Sequence, residues 1–148
     1  MLDVERLNVY IQGSHILRDV SLHVGPRELV CLVGRNGAGK TTILRSIMGY
    51  LKPTRGTMAF QGTPLVGRPT HAIAALGIAF SPEESAIFGD LSVAENIEIA
   101  TWTRRSSRPE AERVEAAYAV FPRLRGYARR GGTQLSGGER KMLSIARA

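Results

Sequence analysis

The chain has 148 residues, of which 43% are hydrophobic and 22% charged, a composition that fits one globular domain with a core of its own. No stretch approaches the roughly 20 apolar residues of a membrane span, and the first residues lack the pattern of a signal peptide. The net charge is +7, but the basic residues are scattered apart from Arg104–Arg105 and the run from Arg123 to Arg130. This distribution favours a solvated or membrane-proximal surface over a nucleic-acid site, so we expect a cytoplasmic protein without a nucleic-acid partner.

Apolar periodicity at the start of the chain predicts strands. Two alternating runs predict an antiparallel hairpin that turns at Gly13-Ser14-His15. Its apolar residues are Leu2, Val4, Leu7, Val9 and Ile11 on one strand and Val20, Leu22 and Val24 on the other. The apolar run LVCLV, residues 29–33, predicts a strand buried on both faces. The single cysteine, Cys31, is then expected to be a small buried hydrophobe.

The rest of the chain alternates predicted helices and strands. Ile43, Leu44, Ile47 and Met48 recur at helical spacing. The segments TMAFQ and IAFS predict strands, and HAIAAL predicts a short helix behind Pro69. Capping boxes at Ser92–Glu95 and Ser107–Glu110 predict two helix starts, and a further helix starts near Ser136, with Met142, Leu143, Ile145 and Ala146 available to pack. The alternation after residue 28 predicts an α/β fold.

The octapeptide GRNGAGKT, Gly34 to Thr41, matches the phosphate-loop pattern G-x-x-x-x-G-K-[ST]. Its glycines let backbone N–H groups curl around phosphate oxygens, and the following helix adds its positive end. Lys40 would reach the β- and γ-phosphates, Thr41 would bind Mg²⁺, and Thr42 is a weaker candidate for the α-phosphate. The predicted nucleotide-binding residues of this loop are Gly34, Asn36, Gly37, Ala38, Gly39, Lys40, Thr41 and Thr42. The loop alone does not separate kinases, GTPases and transport ATPases.

A second glycine-opened helix start is LSGGE, Leu135 to Glu139. Ser136 and Glu139 have capping-box spacing, which a purely structural helix start would also show. Together with the phosphate loop and the continuation ERKMLSIARA, the motif resembles the signature of ATP-binding cassette (ABC) ATPases. In that family two nucleotide-binding domains enclose two ATP molecules, and the signature helix of one domain faces the nucleotide on the other. The resemblance implies that Ser136, Gly137, Gly138 and Glu139 act on the partner's ATP, since bare glycine N–H groups suit a γ-phosphate.

Two further positions agree with the family. Tyr10, in VYIQGSHILRDVSL, matches the aromatic residue that stacks on adenine; the alternative is an aromatic residue of the strand core. In FSPEESAIFGDLSVAEN, Glu83 stands where the family usually carries a glutamine that senses Mg²⁺ and the attacking water. The resemblance therefore makes Glu83 a catalytic candidate beside Lys40 and a possible outer-sphere Mg²⁺ ligand. Glutamate at this place resembles ATPase subunits of branched-chain amino-acid importers, and GRNGAGKTT also resembles those of urea importers.

The resemblance covers essentially the whole chain and implies an α/β P-loop NTPase of the ABC type, with an antiparallel β portion, a parallel-sheet core and a helical subdomain. The β portion and phosphate-loop core would occupy about 1–80, the Glu83 loop and helical subdomain about 81–134, and the signature motif 135–148. The implied cofactors are ATP and Mg²⁺. The implied partners are a second ABC ATPase subunit, membrane permease subunits and, indirectly, a solute-binding protein. The implied activity is ATP hydrolysis that powers solute import at the inner face of the cell membrane.

In the family, a strand ending in Asp-Glu follows the signature helix, and a histidine comes later. The Asp holds Mg²⁺ through water, the Glu activates the attacking water, and the histidine contacts the γ-phosphate. No Asp-Glu pair follows the signature motif in this sequence. The three histidines, His15, His23 and His71, all precede the motif and do not match the later histidine. We therefore expect an incomplete ABC domain that does not hydrolyse ATP by itself. Two alternatives stay open: a non-hydrolytic nucleotide-binding or regulatory module, and a soluble ABC protein outside transport.

Overall fold

A computed structural model describes residues 1–102 and 108–148 of the chain. The described residues form two compact units, Met1–Ile78 and Ala79–Ala148. The helix start predicted at Ser107 and the basic pair Arg104–Arg105 lie outside the described residues. Within the described ranges, every helix falls short of the length and apolar character of a transmembrane span.

The first unit is built on an antiparallel sheet with strand order β2-β1-β3-β4. The strands are β1 at Leu2–Ile11, β2 at Ser14–Val24, β3 at Arg55–Phe60 and β4 at Thr63–Pro64. The pairing of β1 with β2 confirms the predicted hairpin. Its turn consists of Gln12 and Gly13, both at positive φ, which is the two-residue turn that matches the twist of paired strands. The predicted turn at Gly13-Ser14-His15 is therefore wrong in its last two residues, which belong to β2.

An irregularity in β1 keeps its apolar residues on one face. Val4, Leu7 and Val9 are all buried, although strict alternation would place Val4 and Leu7 on opposite faces of the sheet. The pairing register with β2 shifts between these two residues, and Arg6 between them has a φ of 45°. A bulge of this kind inserts one residue and returns the following apolar side chains to the buried face.

Two helices complete the first unit, α1 at Lys40–Ile47 and α2 at Thr70–Ala75. The helical spacing predicted for α1 is confirmed, since Ile43 and Ile47 are buried, as is Met48 at its end, whereas Leu44 is exposed. The first unit has its own set of buried apolar side chains. Its buried apolar residues are Val4, Leu7, Val9, Leu17, Ile43, Ile47, Met48, Met58, Leu65 and Ile73.

Two of the predicted strands, LVCLV and IAFS, are not strands in the structure. Residues 29–33 and 78–81 carry no strand assignment, and Leu29 and Val33 are 89% and 93% exposed. Cys31 is exposed as well, so the predictions of a doubly buried LVCLV strand, a strand at IAFS and a buried cysteine are wrong. An extended segment becomes a strand only when a neighbour pairs with its N–H and C=O groups. The described strands pair with neither segment.

The second unit is helical, with α3 at Val93–Trp102, α4 at Glu110–Val120 and α5 at Gly137–Ala146, and 3₁₀ turns at Pro122–Tyr127 and Gly132–Gln134. The predicted capping box at Ser92 and Glu95 is confirmed, because the Ser92 N–H and hydroxyl donate to the carboxylate at 2.8 and 2.6 Å. The buried apolar core of this unit is Val93, Ile97, Tyr118, Leu124, Leu135 and Leu143. Met142 and Ala146 pack against it as predicted, whereas Ile145 is 46% exposed.

Candidate functional site

The predicted phosphate loop, residues 34–39, leads directly into α1. Gly39 caps the helix with a φ of 93° and Gly37 has a φ of 84°, left-handed conformations that residues with a Cβ adopt only at a cost. A Cβ at Gly39 would also lie 2.8 Å from Cδ2 of Leu17. Among the described residues, no side chain caps the start of α1, so its first N–H groups are left for another acceptor, and a helix start of this kind favours an anion.

The side chain of Lys40 lies across this loop. Its ammonium Nζ donates to the carbonyl oxygens of Gly34 at 2.7 Å and Arg35 at 2.9 Å. The positive charge is thereby held over the backbone that the glycines shape. This combination of a glycine backbone, a helix start and a lysine fits a phosphate chain.

The remaining predicted residues of the loop surround Lys40. Asn36, Ala38 and Thr41 are exposed, and the Ala38 N–H donates to the Arg35 carbonyl at 3.1 Å to close a tight turn. Thr41 lies in the first turn of α1, where an exposed hydroxyl can serve as a Mg²⁺ ligand. Thr42 is half-buried, and its carbonyl accepts a hydrogen bond from the buried Ser46 hydroxyl.

Tyr10 lies near the end of β1, directly opposite His15 of β2. The two rings are stacked, with centroids 4.2 Å apart and planes 10° from parallel. Tyr10 is 49% exposed, which excludes the alternative of a buried core aromatic. Since Ile16 and Leu17 line the position of Gly39, the stacked pair and the phosphate loop share one end of the hairpin. The stacking role of Tyr10 toward adenine remains a prediction.

Glu83 is exposed on the loop that precedes α3 in the second unit. Side chains from α5 and its C-terminal cap hold this loop. Their hydrogen bonds join the Ser144 and Ser81 hydroxyls at 2.8 Å, the Lys141 ammonium and the Pro82 carbonyl at 2.7 Å, and the Arg147 guanidinium and the Ala86 carbonyl at 2.8 Å. The backbone around Glu83 is therefore tied to the helix that carries the predicted signature motif.

The signature motif opens α5 with a capping box, as predicted. The Ser136 N–H donates to the Glu139 carboxylate at 2.8 Å, and the Glu139 N–H donates to the Ser136 hydroxyl at 3.3 Å. The Ser136 backbone N–H, and after it the Ser136 hydroxyl, lower the pKa of the Glu139 carboxyl by hydrogen bonding to its charged form. Gly137 and Gly138 are exposed, and a Cβ at either would meet no atom within 4 Å. Neither has a positive φ, so the described fold itself does not require glycine at these two positions.

Sequence reasoning missed Asn96, a buried side chain of the second unit that makes four hydrogen bonds. Its amide is fully buried and bonds the backbone of the loop before α3. The partners are the Phe88 N–H and carbonyl, each at 2.9 Å, and the Ser92 and Leu91 carbonyls at 3.0 and 3.2 Å. The signal was available, because Asn96 falls between Val93 and Ile97 on the apolar stripe of the predicted helix, where a polar residue needs internal partners.

Comparison with known sequences gives a family match over most of the chain. The profile of the ABC transporter family matches residues 17–148. A probable branched-chain amino acid transport ATP-binding protein, LivF of Archaeoglobus fulgidus, is 37% identical over 148 residues, which cover 100% of this chain and 62% of LivF. BraG of Pseudomonas aeruginosa, a high-affinity branched-chain amino acid transport ATP-binding protein, is 36% identical over 149 residues, or 100% of this chain and 63% of BraG. LptB of Haemophilus influenzae, the ATP-binding protein of a lipopolysaccharide export system, is 34% identical over 149 residues, or 100% of this chain and 62% of LptB.

Comparison with solved structures gives the same fold. The ATP-binding subunit of an ABC transporter superimposes with a TM-score of 0.85 and 26% identity, over 100% of this chain and 61% of that one. The dimeric cassette MJ0796 in a post-hydrolysis state bound to ADP and Pi gives a TM-score of 0.84 at 23% identity, over 99% of this chain and 68% of that one. The chain thus spans about three fifths of the length of the curated relatives that it matches.

Proposed function

We propose that this chain, which belongs to the ABC transporter family, binds ATP and Mg²⁺ at its phosphate loop, and that the whole protein uses ATP to drive solute transport. One observation carries the proposal: residues 34–39 adopt a glycine-dependent loop in front of α1, with the Lys40 ammonium held over it at 2.7 and 2.9 Å from two of its carbonyls. A phosphate chain is held by backbone N–H groups, a helix start and a lysine, and this loop brings the three together.

The residues of the loop divide the work of binding. Lys40 neutralises charge at the β- and γ-phosphates, and backbone N–H groups of the loop and of the first turn of α1 supply hydrogen bonds. The exposed Thr41 hydroxyl and phosphate oxygens would hold Mg²⁺, which supplies charge neutralisation when bound. Tyr10 offers a half-exposed ring at the same end of the hairpin, where the adenine base stacks.

The signature motif serves a second subunit in this proposal. Gly137 and Gly138 are required neither by their φ angles nor by packing within the described residues. Glycine there instead leaves the N–H groups at the start of α5 open to an approaching anion, which we assign to the ATP of a partner ABC subunit. The MJ0796 cassette, which shares the fold, is dimeric.

The transport role is a proposal for the whole protein. Relatives named for branched-chain amino-acid transport are 37% and 36% identical, and a lipopolysaccharide exporter subunit is 34% identical. Together with the glutamate at position 83, this favours import of a small solute such as a branched-chain amino acid through a permease at the inner face of the membrane. Glu83 would act there as an outer-sphere Mg²⁺ ligand.

Nucleotide binding is tested with a fluorescent ATP analogue titrated against the purified chain in Mg²⁺ buffer. Lys40→Ala removes a charge-assisted hydrogen bond and should weaken binding about tenfold to a hundredfold. Lys52→Ala, which removes an exposed lysine outside the loop, is the matched control and should bind like wild type. Equal affinity of wild type and Lys40→Ala would show that the loop is not a phosphate site.

The solute is tested in cells that carry the complete gene and its permease partners. Disrupting the gene should reduce uptake of radiolabelled leucine and leave uptake of an unrelated sugar unchanged. Unchanged leucine uptake together with altered lipopolysaccharide export would move the assignment from import to export, without affecting the nucleotide site.

A further inference from the structure

We infer that His15 is a positioning residue of the nucleotide site: its imidazole backs Tyr10, so that a purine base stacks on the opposite face of the tyrosine ring. The inference rests on the proposed function, since it concerns the base of the same nucleotide. The sequence pattern predicts a turn at His15 and assigns this residue no function. The structure moves it into β2, directly across from Tyr10.

The stack covers one face of Tyr10 and leaves the ring accessible. With centroids 4.2 Å apart and planes at 10°, the imidazole occupies the space above one face of the phenol. The Tyr10 residue nonetheless keeps 49% of its surface exposed. A flat base can therefore reach only the face opposite His15, and the three rings would form a continuous stack.

A partly buried chain of hydrogen bonds fixes the imidazole. Its Nε2 lies 2.9 Å from the side-chain oxygen of Asn8, and Asn8 is only 6% exposed. The Asn8 amide nitrogen already donates to Asp19 at 2.7 Å and to the Arg6 carbonyl at 2.9 Å. Because both of its N–H groups are used, the Asn8 oxygen faces the ring, and His15 Nε2 must donate to it.

The anchored imidazole prepares Tyr10 for stacking. An exposed aromatic side chain without a neighbour samples several rotamers, and ordering it on binding costs conformational entropy. Here the His15 ring cannot change rotamer without breaking its hydrogen bond to Asn8. Its contact with Tyr10 therefore restricts the rotamers of the tyrosine before a base binds. The same strand continues to Ile16 and Leu17, which line the position of Gly39, so the platform has a defined place relative to the phosphate loop.

The test separates the base from the phosphates. Affinities of ADP and of inorganic pyrophosphate, both with Mg²⁺, are measured by displacement of a fluorescent ATP analogue from the intact chain. His15→Ala should weaken ADP about twofold to tenfold and leave pyrophosphate unchanged. His15→Gln, which keeps a donor for Asn8 but has no ring, should behave like His15→Ala. His15→Phe, which keeps a ring, should stay closer to wild type.

The matched control is His23→Ala. His23 lies on the same strand at the far end of the hairpin and bonds Asp3, so its loss should change neither affinity. Unchanged pyrophosphate binding shows that each variant is folded around the loop. If His15→Ala binds ADP as well as wild type or better, the inference is wrong while the nucleotide site stands. If wild type binds neither ligand, the proposed function fails and this inference fails with it.

Discussion

Replacing the buried Asn96 by leucine should release the loop that carries Glu83 from the start of α3. The Asn96 amide makes four hydrogen bonds of 2.9 to 3.2 Å to backbone groups between Phe88 and Ser92. Leucine fills a similar volume and leaves the apolar neighbours in contact, so that the lost hydrogen bonds dominate the result. The Phe88 N–H loses its side-chain acceptor. The three carbonyl oxygens lose a shared donor, but each keeps a backbone donor, from Leu91, Gly132 or Asn96.

The expected cost follows from these groups. A buried donor or acceptor left without a partner costs about 1–3 kcal/mol. Two of the four carbonyl and N–H partners belong to Phe88, which is itself 48% exposed, so water can replace part of what is lost. We therefore expect Asn96→Leu to lower the free energy of unfolding of the second unit by about 1–3 kcal/mol.

Hydrogen exchange of the loop amides measures the effect locally. In Asn96→Leu the Phe88 amide should exchange faster than any amide of α5, and thermal unfolding followed by circular dichroism should shift downward. Glu98→Gln is the control, because Glu98 is exposed on the same helix and its change should stay within about 0.5 kcal/mol. Wild-type protection of Phe88 in the leucine variant would refute the idea that Asn96 holds the loop.

Three further predictions concern the described helix starts and the contacts of α5. The pKa of Glu139 is lowered in the folded chain. The ionised carboxylate therefore stabilises the fold above the pKa of an unfolded glutamate, about 4.3, and this stabilisation is lost as the pH falls through the folded pKa. Glu139→Gln should flatten the acid side of the plot of melting temperature against pH, and an unchanged plot would contradict this. Gly39→Ala should destabilise the first unit by about 1–2 kcal/mol in denaturant melts, whereas Gly138→Ala should not; equal effects would be evidence against the distinction. Arg147→Ala should speed amide exchange around Ala86, and Arg147→Lys should partly restore protection. Wild-type exchange rates in Arg147→Ala would mean that the bond to the Ala86 carbonyl is dispensable.

Local sequence signals predicted the elements whose geometry is set by neighbouring residues. The capping boxes at Ser92 and Ser136 form as their spacing indicates, because donor and acceptor are three residues apart and need no distant partner. The phosphate loop likewise follows from its glycines, since the positive φ values of Gly37 and Gly39 are local requirements. Membership of the ABC family, suggested by two motifs, is confirmed by the match over residues 17–148.

Contacts between distant residues were not predictable in the same way. The Tyr10–His15 stack depends on a turn at Gln12 and Gly13, and a turn displaced by two residues would have put the histidine outside the strand. The bonds of Asn96 depend on how the preceding loop folds back over the helix, which no periodicity encodes. The sequence marks Asn96 as a polar residue on an apolar stripe, but its partners are backbone groups that every residue type carries.

Residues 29–33 show that an apolar sequence pattern does not by itself determine whether a segment is buried. The run LVCLV predicts burial because each side chain would gain about 25 cal/mol for every Å² removed from water. That gain exists only if another surface covers the side chains and another strand pairs with the backbone. Leu29 and Val33 face solvent in the structure, yet the loop that follows them still forms. Its shape depends on Gly37 and Gly39, and on the contact of Gly39 with Leu17 of β2, so the hairpin rather than the preceding apolar run positions the phosphate loop among the described residues.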